Sequence, residues 1–502
     1  MSTTPTPTET HNPLQVLIVG GGVAGLMMAL LLERINVPYT IFERAIKVRP
    51  LGSVLSLNAN ILPVFEQLDL LEDLKKFSLP CTSMDLFEPS RKMIASMAMH
   101  NYEETTGYPA LVFARPDLYD LMLSRVPKEK ILMNKKLLSI EQNALGSLYK
   151  KMSEKNLLPK SDSTDMELGY IAMVGVTEPQ DPEKIPELLE PQTNFRLVLG
   201  SNGMGWHAIT IPGNRICWRL GRQISDLKEA KELMFRNSEW GPESIELMLN
   251  EYRECPNPFG GTMGDLIDAT NRNNISKVYL EEKLFETWYY GRTVLIGDAC
   301  HKMLPAAGQG AINAMQDAVI LANCIYDMGE PTVENIKDAF KVFKDHRYQE
   351  AKEQFENSKL VAKLMGGQNW SEKILRKIVF GLLPDWVQTK RFIKVASYRP
   401  QAVFLPLAEN RGIGPVRPQL PTRRGGPRKV SGNNGSSSSS IEALTSQSKA
   451  ESDEKEKEEK DTALDWLTRM QPQELITVNH GSLDEGIKCL KMLLLQALAI
   501  GK

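Results

Sequence analysis

The chain has 502 residues, 42% of them apolar, and a formal net charge of −2. That is long enough for two hydrophobic cores plus tails, and the even charge balance gives no basis for nucleic-acid binding. The six cysteines (Cys81, Cys217, Cys255, Cys300, Cys324 and Cys489) are scattered without a C-x-x-C pair, which argues against a disulfide scaffold or a zinc site and for a cytoplasmic or membrane-peripheral protein rather than a secreted one.

Residues 1–13 are polar and rich in Thr and Pro, and read as a disordered leader without the apolar core of a secretory signal. Val16 to Leu32 is apolar enough to imitate a membrane span, but Gly20, Gly21, Gly22 and Gly25 interrupt it where a strand would pass to a helix, so it reads as soluble core. Gln15 to Val19 is then a short buried strand, Val23 to Arg34 a helix, and Tyr39 to Phe42 a second strand ending in Glu43. This is a βαβ dinucleotide unit. Gly20 and Gly22 allow the turn and the approach of a pyrophosphate, Gly25 lets helix pack on strand, and Glu43 accepts from ribose hydroxyls. A helix follows over Val64 to Leu74. In Leu111 to Leu123, Arg115 opens another helix, where a positive charge opposes the dipole; the position suits either an anionic ligand or a surface arginine. Ile131 to Glu141 alternates as a strand, and Ser147 to Met152 reads as helical.

Leu168 to Tyr290 changes texture, with alternating strands at Gly169 to Thr177, Phe195 to Leu199, His207 to Ile211 and Arg215 to Leu220. Such a half-exposed antiparallel sheet makes a pocket wall, and Trp206, His207, Trp218 and Arg219 are candidates either for its lining or for its core. Arg292 to Ala318 organises the remainder. Thr293 to Ile296 is a β-branched run suited to a parallel strand, after which Gly297 and Asp298 set a carboxylate past the strand's C-terminal edge, where open α/β sheets bind ligands. Pro305, Gly308 and Gly310 let the backbone approach a flat ligand, and a helix opening near Ala311 aims free N–H groups at the same spot. Cys300 and His301 have no second ligand pair nearby and read as loop packing rather than a metal site. Beyond them, Glu334 to Met365 and Trp370 to Leu383 are helical, and Arg411, Arg417, Arg423, Arg424, Arg428 and Lys429 form a basic run. Ser431 to Lys460 is low-complexity and expected to be disordered. Ser482-x-x-Glu485 is a capping box for an apolar helix over Ile487 to Ile500, too short to span a bilayer and able to dock on the body, on a partner or at a membrane surface.

Gly297-Asp298, His301, Pro305, Gly308-Gln309-Gly310 and Asp317-Ala318, together with Gly20-x-Gly22-x-x-Gly25, resemble the FAD fingerprints of class A flavoprotein monooxygenases of the p-hydroxybenzoate hydroxylase type. The Arg49-Pro-Leu-Gly-Ser and Asn60-Ile-Leu-Pro segments look closest to the fungal paxilline-type members. The resemblance implies an α/β fold: a Rossmann-like FAD-binding domain over 14–165 and 284–330, interleaved with a mixed or antiparallel substrate-domain sheet over 166–283. A C-terminal helical region over 331–420, a linker over 421–460 and a short helical tail over 461–502 would follow. It implies FAD as cofactor, with Asp298 on the ribityl chain, Arg115 on the phosphate or ribityl region, Gly52 close to the adenosine or ring system, and the Gly308 to Ala311 backbone near the flavin carbonyl edge. NAD(P)H would be the electron donor, and O2 would pass through a flavin hydroperoxide to hydroxylate or epoxidise an aromatic or isoprenoid-like small molecule. No catalytic acid, base or metal is then required. In one respect the chain departs from the pattern: the family carries an Asp-Gly pair on a further strand after the one that here spans Ile131 to Glu141, whereas Gln142 to Gly146 passes directly into the Ser147 to Met152 helical segment and no Asp-Gly dipeptide occurs anywhere in the chain. The alternative reading is therefore a flavin-fold binding or regulatory protein with impaired catalysis.

Overall fold

In the computed structural model the strands, in chain order, are β1 (Val16–Val19), β2 (Tyr39–Phe42), β3 (Val54–Leu57), β4 (Leu79–Phe87), β5 (Met93–Ala98), β6 (Leu111–Ala114), β7 (Ile131–Leu132), β8 (Glu167–Val176), β9 (Thr193–Leu199), β10 (Met204–Ile211), β11 (Arg215–Gln223), β12 (Ser276–Leu284), β13 (Tyr289–Tyr290), β14 (Thr293–Val294) and β15 (His301–Lys302). The structure describes residues 14–46, 54–99, 101–137, 158–201, 203–224, 242–366 and 392–423.

The βαβ unit forms as its periodicity dictates. β1 passes through the glycine turn into the Val23–Arg34 helix, and β2 returns parallel to β1 in the register Val16↔Tyr39 to Val19↔Phe42. Gly25 to Leu32 are all buried, because the helix is apolar nearly all round and lies between the sheet and the Gly310–Asp327 helix. β7 adds to β2 in parallel. A parallel sheet normally has both faces covered, yet Leu17, Val19 and Leu132 on one face are 61%, 56% and 37% exposed.

The other large element is a ten-stranded sheet ordered β15-β12-β8-β11-β10-β9-β4-β6-β3, with β5 paired to β4. It draws strands from both halves of the predicted FAD-binding region and from the predicted substrate region. The four strands expected between Gly169 and Leu220 all form, each one to three residues longer than the alternation indicated. Strand alternation sorts their side chains. Trp206, Trp218 and Leu220 pack with Met248, Leu249, Tyr252 and Met263 beneath one face, while Ile209, Ile211 and Cys217 on the other meet Cys81, Val112 and Ala114. Gly175, opposite Trp218 in the β8–β11 register, is required there: a methyl group on it would sit 2.4 Å from the indole.

Three expectations are corrected. The helix expected over Val64 to Leu74 is two, Leu62–Gln67 and Leu71–Lys76, because Asp69 turns left-handed at φ 60° between them. The Ile131 strand stops at Leu132 and the chain turns at Asn134, φ 55°. Thr293 to Ile296 is not a buried parallel strand; of the four only Thr293 and Val294 form a strand, half-buried and antiparallel to β13, with Gly291 at φ 57° making the hairpin.

Val333–Gly366 is a single helix of 34 residues, close to the expected Glu334 to Met365. Its buried stripe runs through Ile336, Phe340, Phe343, Arg347, Ala351, Phe355, Ser358 and Ala362, a spacing of three and four that lays one face on the core. Residues 401–423 carry no helix or strand. Side chains of the early domain hold this region and the helical turn before it: Asn60 Nδ2 donates to Val395 O at 2.6 Å, and Gln67 Nε2 to Ala402 O and Pro406 O, each at 3.0 Å. No described helix is long and apolar enough to cross a membrane. The leader, Gly52, the Gln142 to Gly146 departure, the Trp370 to Leu383 helix, the low-complexity tract and the C-terminal tail lie outside the described residues.

Candidate cofactor site

The early turn has the geometry a diphosphate needs. Gly20 sits at φ +104°, a conformation closed to L side chains at low cost, and Gly22 is the extended N-cap of the Val23–Arg34 helix. A methyl group on Gly20 or Gly22 would meet nothing within 4 Å, whereas one on Gly25 would lie 2.1 Å from Gly20 O. The first two glycines thus face open space beside free helix N–H groups, and the third is a packing requirement. Glu43 stands at the rim: Oε2 accepts from Gly21 N–H at 2.8 Å and Oε1 from Ala45 N–H at 2.7 Å. Tyr119 joins it, since a methyl on Gly21 would be 3.4 Å from both Glu43 Oε2 and the Tyr119 hydroxyl. Burial, and then the Glu43 charge, pushes the Tyr119 phenol up. Arg115 opens the same helix after the fully buried β6, is exposed, and has no ion pair among the described residues.

The late loop meets that turn. Gly297 lies at φ +61° against both helices, where a methyl would be 3.0 Å from Ala314 Cβ and 3.7 Å from Ala24 Cβ. Asp298 next to it is exposed and makes no hydrogen bond among the described residues. Pro305 begins a short 3-10 turn that ends at Gly308, φ +65°, where a methyl would again meet nothing within 4 Å. Gly310 opens the Gly310–Asp327 helix, with Ala311 half-buried in its first turn. The helix begins one residue before the predicted start.

A buried ionic cluster lies beneath the loop. Asp317 Oδ2 accepts from Gly297 N–H at 2.8 Å and lies 2.6 Å from His301 Nε2. Its Oδ1 accepts from Arg347 Nε at 2.8 Å, and Arg347 Nη2 donates to Asn313 Oδ1 at 2.9 Å. Asp317 and Arg347 are both 0% exposed. Burial raises the Asp317 pKa, but His301 and Arg347 outweigh it and hold the carboxyl below its usual range. Separating such a pair costs about 3–5 kcal/mol. Cys300 Sγ, His301 and Asp317 bring ligand atoms within 4.8 Å of one another. The Arg347 guanidinium already supplies the cation, and burial holds the Cys300 thiol well above its usual range and therefore protonated. The cluster is an ion pair, not a metal centre. Asp317 belonged to the motif without an assigned role, and Arg347 was missed; its signal was an arginine at a stripe position between Phe343 and Ala351.

The sheet divides the four candidate pocket residues. Trp206 and Trp218 turn into the core, their indole N–H groups donating to Pro256 O at 2.9 Å and Thr270 Oγ1 at 2.8 Å. His207 and Arg219, paired across β10 and β11, point to the opposite face, toward the side on which the Val333–Gly366 helix packs against both β10 and the Pro305–Ala307 turn. His207 Nε2 and Arg219 Nε are enclosed and have no hydrogen-bond partner among the described residues. Burial, then the Arg219 charge, pushes the His207 imidazole down to about 3. Its folded pKa lies below the ordinary 6.5, so the neutral ring contributes stability above about pH 6.5 that is lost as the pH falls toward 3. Urea denaturation should show wild type losing roughly 2 kcal/mol more than His207→Asn between about pH 7 and pH 5.

Comparison with known proteins matches these same segments. Residues 13–147 and 262–328 match the family described as an FAD binding domain, and the glycine turn, Glu43 and the Gly297–Gly310 loop all fall within them. The FAD-dependent monooxygenase penE of Penicillium thymicola is 24% identical over 441 residues, covering 80% of this chain and 89% of its own. The FAD-dependent monooxygenase ausM of Emericella nidulans is 25% identical over 457 residues, covering 82% and 91%. These matches support a class A flavin monooxygenase. Among solved structures, HpxO of Klebsiella pneumoniae, complexed with FAD and uric acid, superposes at a TM-score of 0.60 over 78% of this chain and 98% of that one. At 14% identity that likeness concerns the fold, in which this chain combines the βαβ unit with the large mixed sheet.

Proposed function

We propose that the protein is an FAD-dependent monooxygenase that takes electrons from NAD(P)H and inserts one oxygen atom of O2 into an aromatic or isoprenoid-like small molecule. The carrying observation is that the early glycine turn and the late Gly297 loop meet at Ala24, with Glu43 and Asp298 at their rims. The residues fit FAD: open space stands where Cβ atoms would be at Gly20, Gly22 and Gly308, and two carboxylates are available for sugar hydroxyls.

When bound, FAD supplies the electron acceptance and the oxygen activation that side chains lack. The chain's own work is orientation. Gly20, Gly22 and the helix N–H groups behind them receive the diphosphate, Glu43 the ribose and Asp298 the ribityl chain, with Arg115 able to neutralise phosphate charge. The Gly308 to Ala311 backbone, at the start of the Gly310–Asp327 helix, would supply N–H donors to the flavin ring. His207 Nε2 and Arg219 Nε, without hydrogen-bond partners among the described residues, are polar groups able to orient the substrate. Arg219→Met should therefore raise KM for the substrate about tenfold or more while leaving FAD affinity unchanged, measured by steady-state kinetics and flavin titration.

Purified protein should be yellow and bleach on addition of NADPH or NADH under argon. A colourless, folded protein that takes up no added FAD would replace this proposal with the flavin-fold binding or regulatory reading. Two observations favour that second reading: the absence of an Asp-Gly dipeptide, and the uncovered Leu17 and Val19 face of the parallel sheet beside the glycine turn.

A further inference from the structure

We propose that Asp317 and Arg347 are positioning residues for FAD, the buried carboxylate fixing the turn that presents Asp298 and the guanidinium tying that turn to the C-terminal segment through Tyr398. The inference rests on the FAD reading above. Asp298 has no side-chain partner among the described residues, so the backbone on either side of it sets its direction. One carboxylate clamps both sides. Asp317 Oδ2 holds the Gly297 N–H at 2.8 Å and His301 Nε2 at 2.6 Å, and Gly297 at φ +61° has the conformational freedom that makes such a clamp necessary.

Arg347 aligns the clamp from the Val333–Gly366 helix through Asp317 Oδ1 and Asn313 Oδ1. Its guanidinium lies 5.4 Å from the Tyr398 ring centroid, and Arg417 stacks 5.5 Å from the same ring. Asp317 and Arg347 are fully buried, out of reach of any ligand in the open cleft, so their influence on FAD is indirect. The unit is a relay: Tyr398, Arg347, Asp317, Gly297, and then Asp298 at the ligand.

The test uses the full chain and FAD as the probe, in wild type, Asp317→Asn, the double variant Asp317→Leu/Arg347→Met, Tyr398→Leu and Tyr398→Phe. Three quantities are measured: Kd for FAD, the reduction potential of the bound flavin, and Tm of the FAD-free protein. Asp317→Asn should weaken FAD about tenfold or more and shift the potential. The apolar double variant removes both buried charges and should recover Tm toward wild type, yet its Kd should stay raised because Gly297 N–H has lost its acceptor. Tyr398→Leu should raise Kd severalfold and Tyr398→Phe should not, since the ring face is what Arg347 uses. A double variant that recovers wild-type Kd along with Tm would show a merely structural pair and overturn the proposal. Should the Asp317 variants fail to fold, the tyrosine pair decides: identical Kd and potential in Tyr398→Leu and wild type also overturn it. If wild type takes up no FAD, the function itself falls and this inference with it. If wild type binds FAD and every variant matches it, the relay alone is wrong.

Discussion

Gly25→Ala is expected to unfold the βαβ unit and abolish FAD binding together. The added methyl would lie 2.1 Å from Gly20 O and 3.1 Å from Ile18 Cγ2. The nearer atom is backbone, in a turn already held at φ +104°, so no side-chain rotation relieves the overlap. The Val23–Arg34 helix must instead lift off β1, carrying the completely buried Leu26, Met27, Ala29, Leu31 and Leu32 with it. The cost should be about 3 kcal/mol or more, visible as a fall in Tm with loss of bound flavin. Gly22→Ala is the matched control. Gly22 has φ −73° and ψ −177°, open to alanine, and a methyl there meets no atom within 4 Å. It should fold as wild type while weakening FAD, because the methyl enters the space assigned to the diphosphate. Unchanged FAD affinity in Gly22→Ala would mean that the turn is not the ligand's cradle.

Asp298→Ala should show the reverse pattern, with a large effect on the ligand and almost none on the fold. The side chain is exposed and unpartnered among the described residues, so removing it should change stability by at most about 0.5 kcal/mol. A carboxylate accepting from ribityl hydroxyls makes charge-assisted hydrogen bonds worth roughly 1.5–3 kcal/mol, and its loss should raise the FAD Kd by about 10- to 150-fold. Asp298→Asn keeps an acceptor without the charge and should fall between. Fluorescence titration gives Kd and thermal unfolding of the FAD-free protein gives stability. A parallel loss of both would place Asp298 in the folding core rather than at the ligand.

Local sequence information ends where an element must choose a partner. The glycine turn, the Val23–Arg34 helix, β2 and the long Val333–Gly366 helix were legible within a residue or two, because each follows from side-chain spacing and backbone freedom inside one segment. Thr293 to Ile296 misled for the converse reason. A β-branched run favours extended backbone but does not choose its partner, and the Gly291 turn folded it onto Tyr289 and Tyr290. Val64 to Leu74 misled because an apolar period of 3.6 survives a one-residue left-handed break at Asp69.

By itself, the sequence determined the turn chemistry of both loops, the helical and alternating periods, and the candidate ligand carboxylates Glu43 and Asp298. All of these depend on neighbours a few residues away. Only the tertiary structure decided which face of β10 and β11 packs on the Met248–Met263 core, separating Trp206 and Trp218 from His207 and Arg219, since a strand's alternation names two faces without saying which is covered. It likewise paired Asp317 with Arg347 across 30 residues. Two helices had to pack before either buried charge had a partner, and burial is what makes that pairing obligatory.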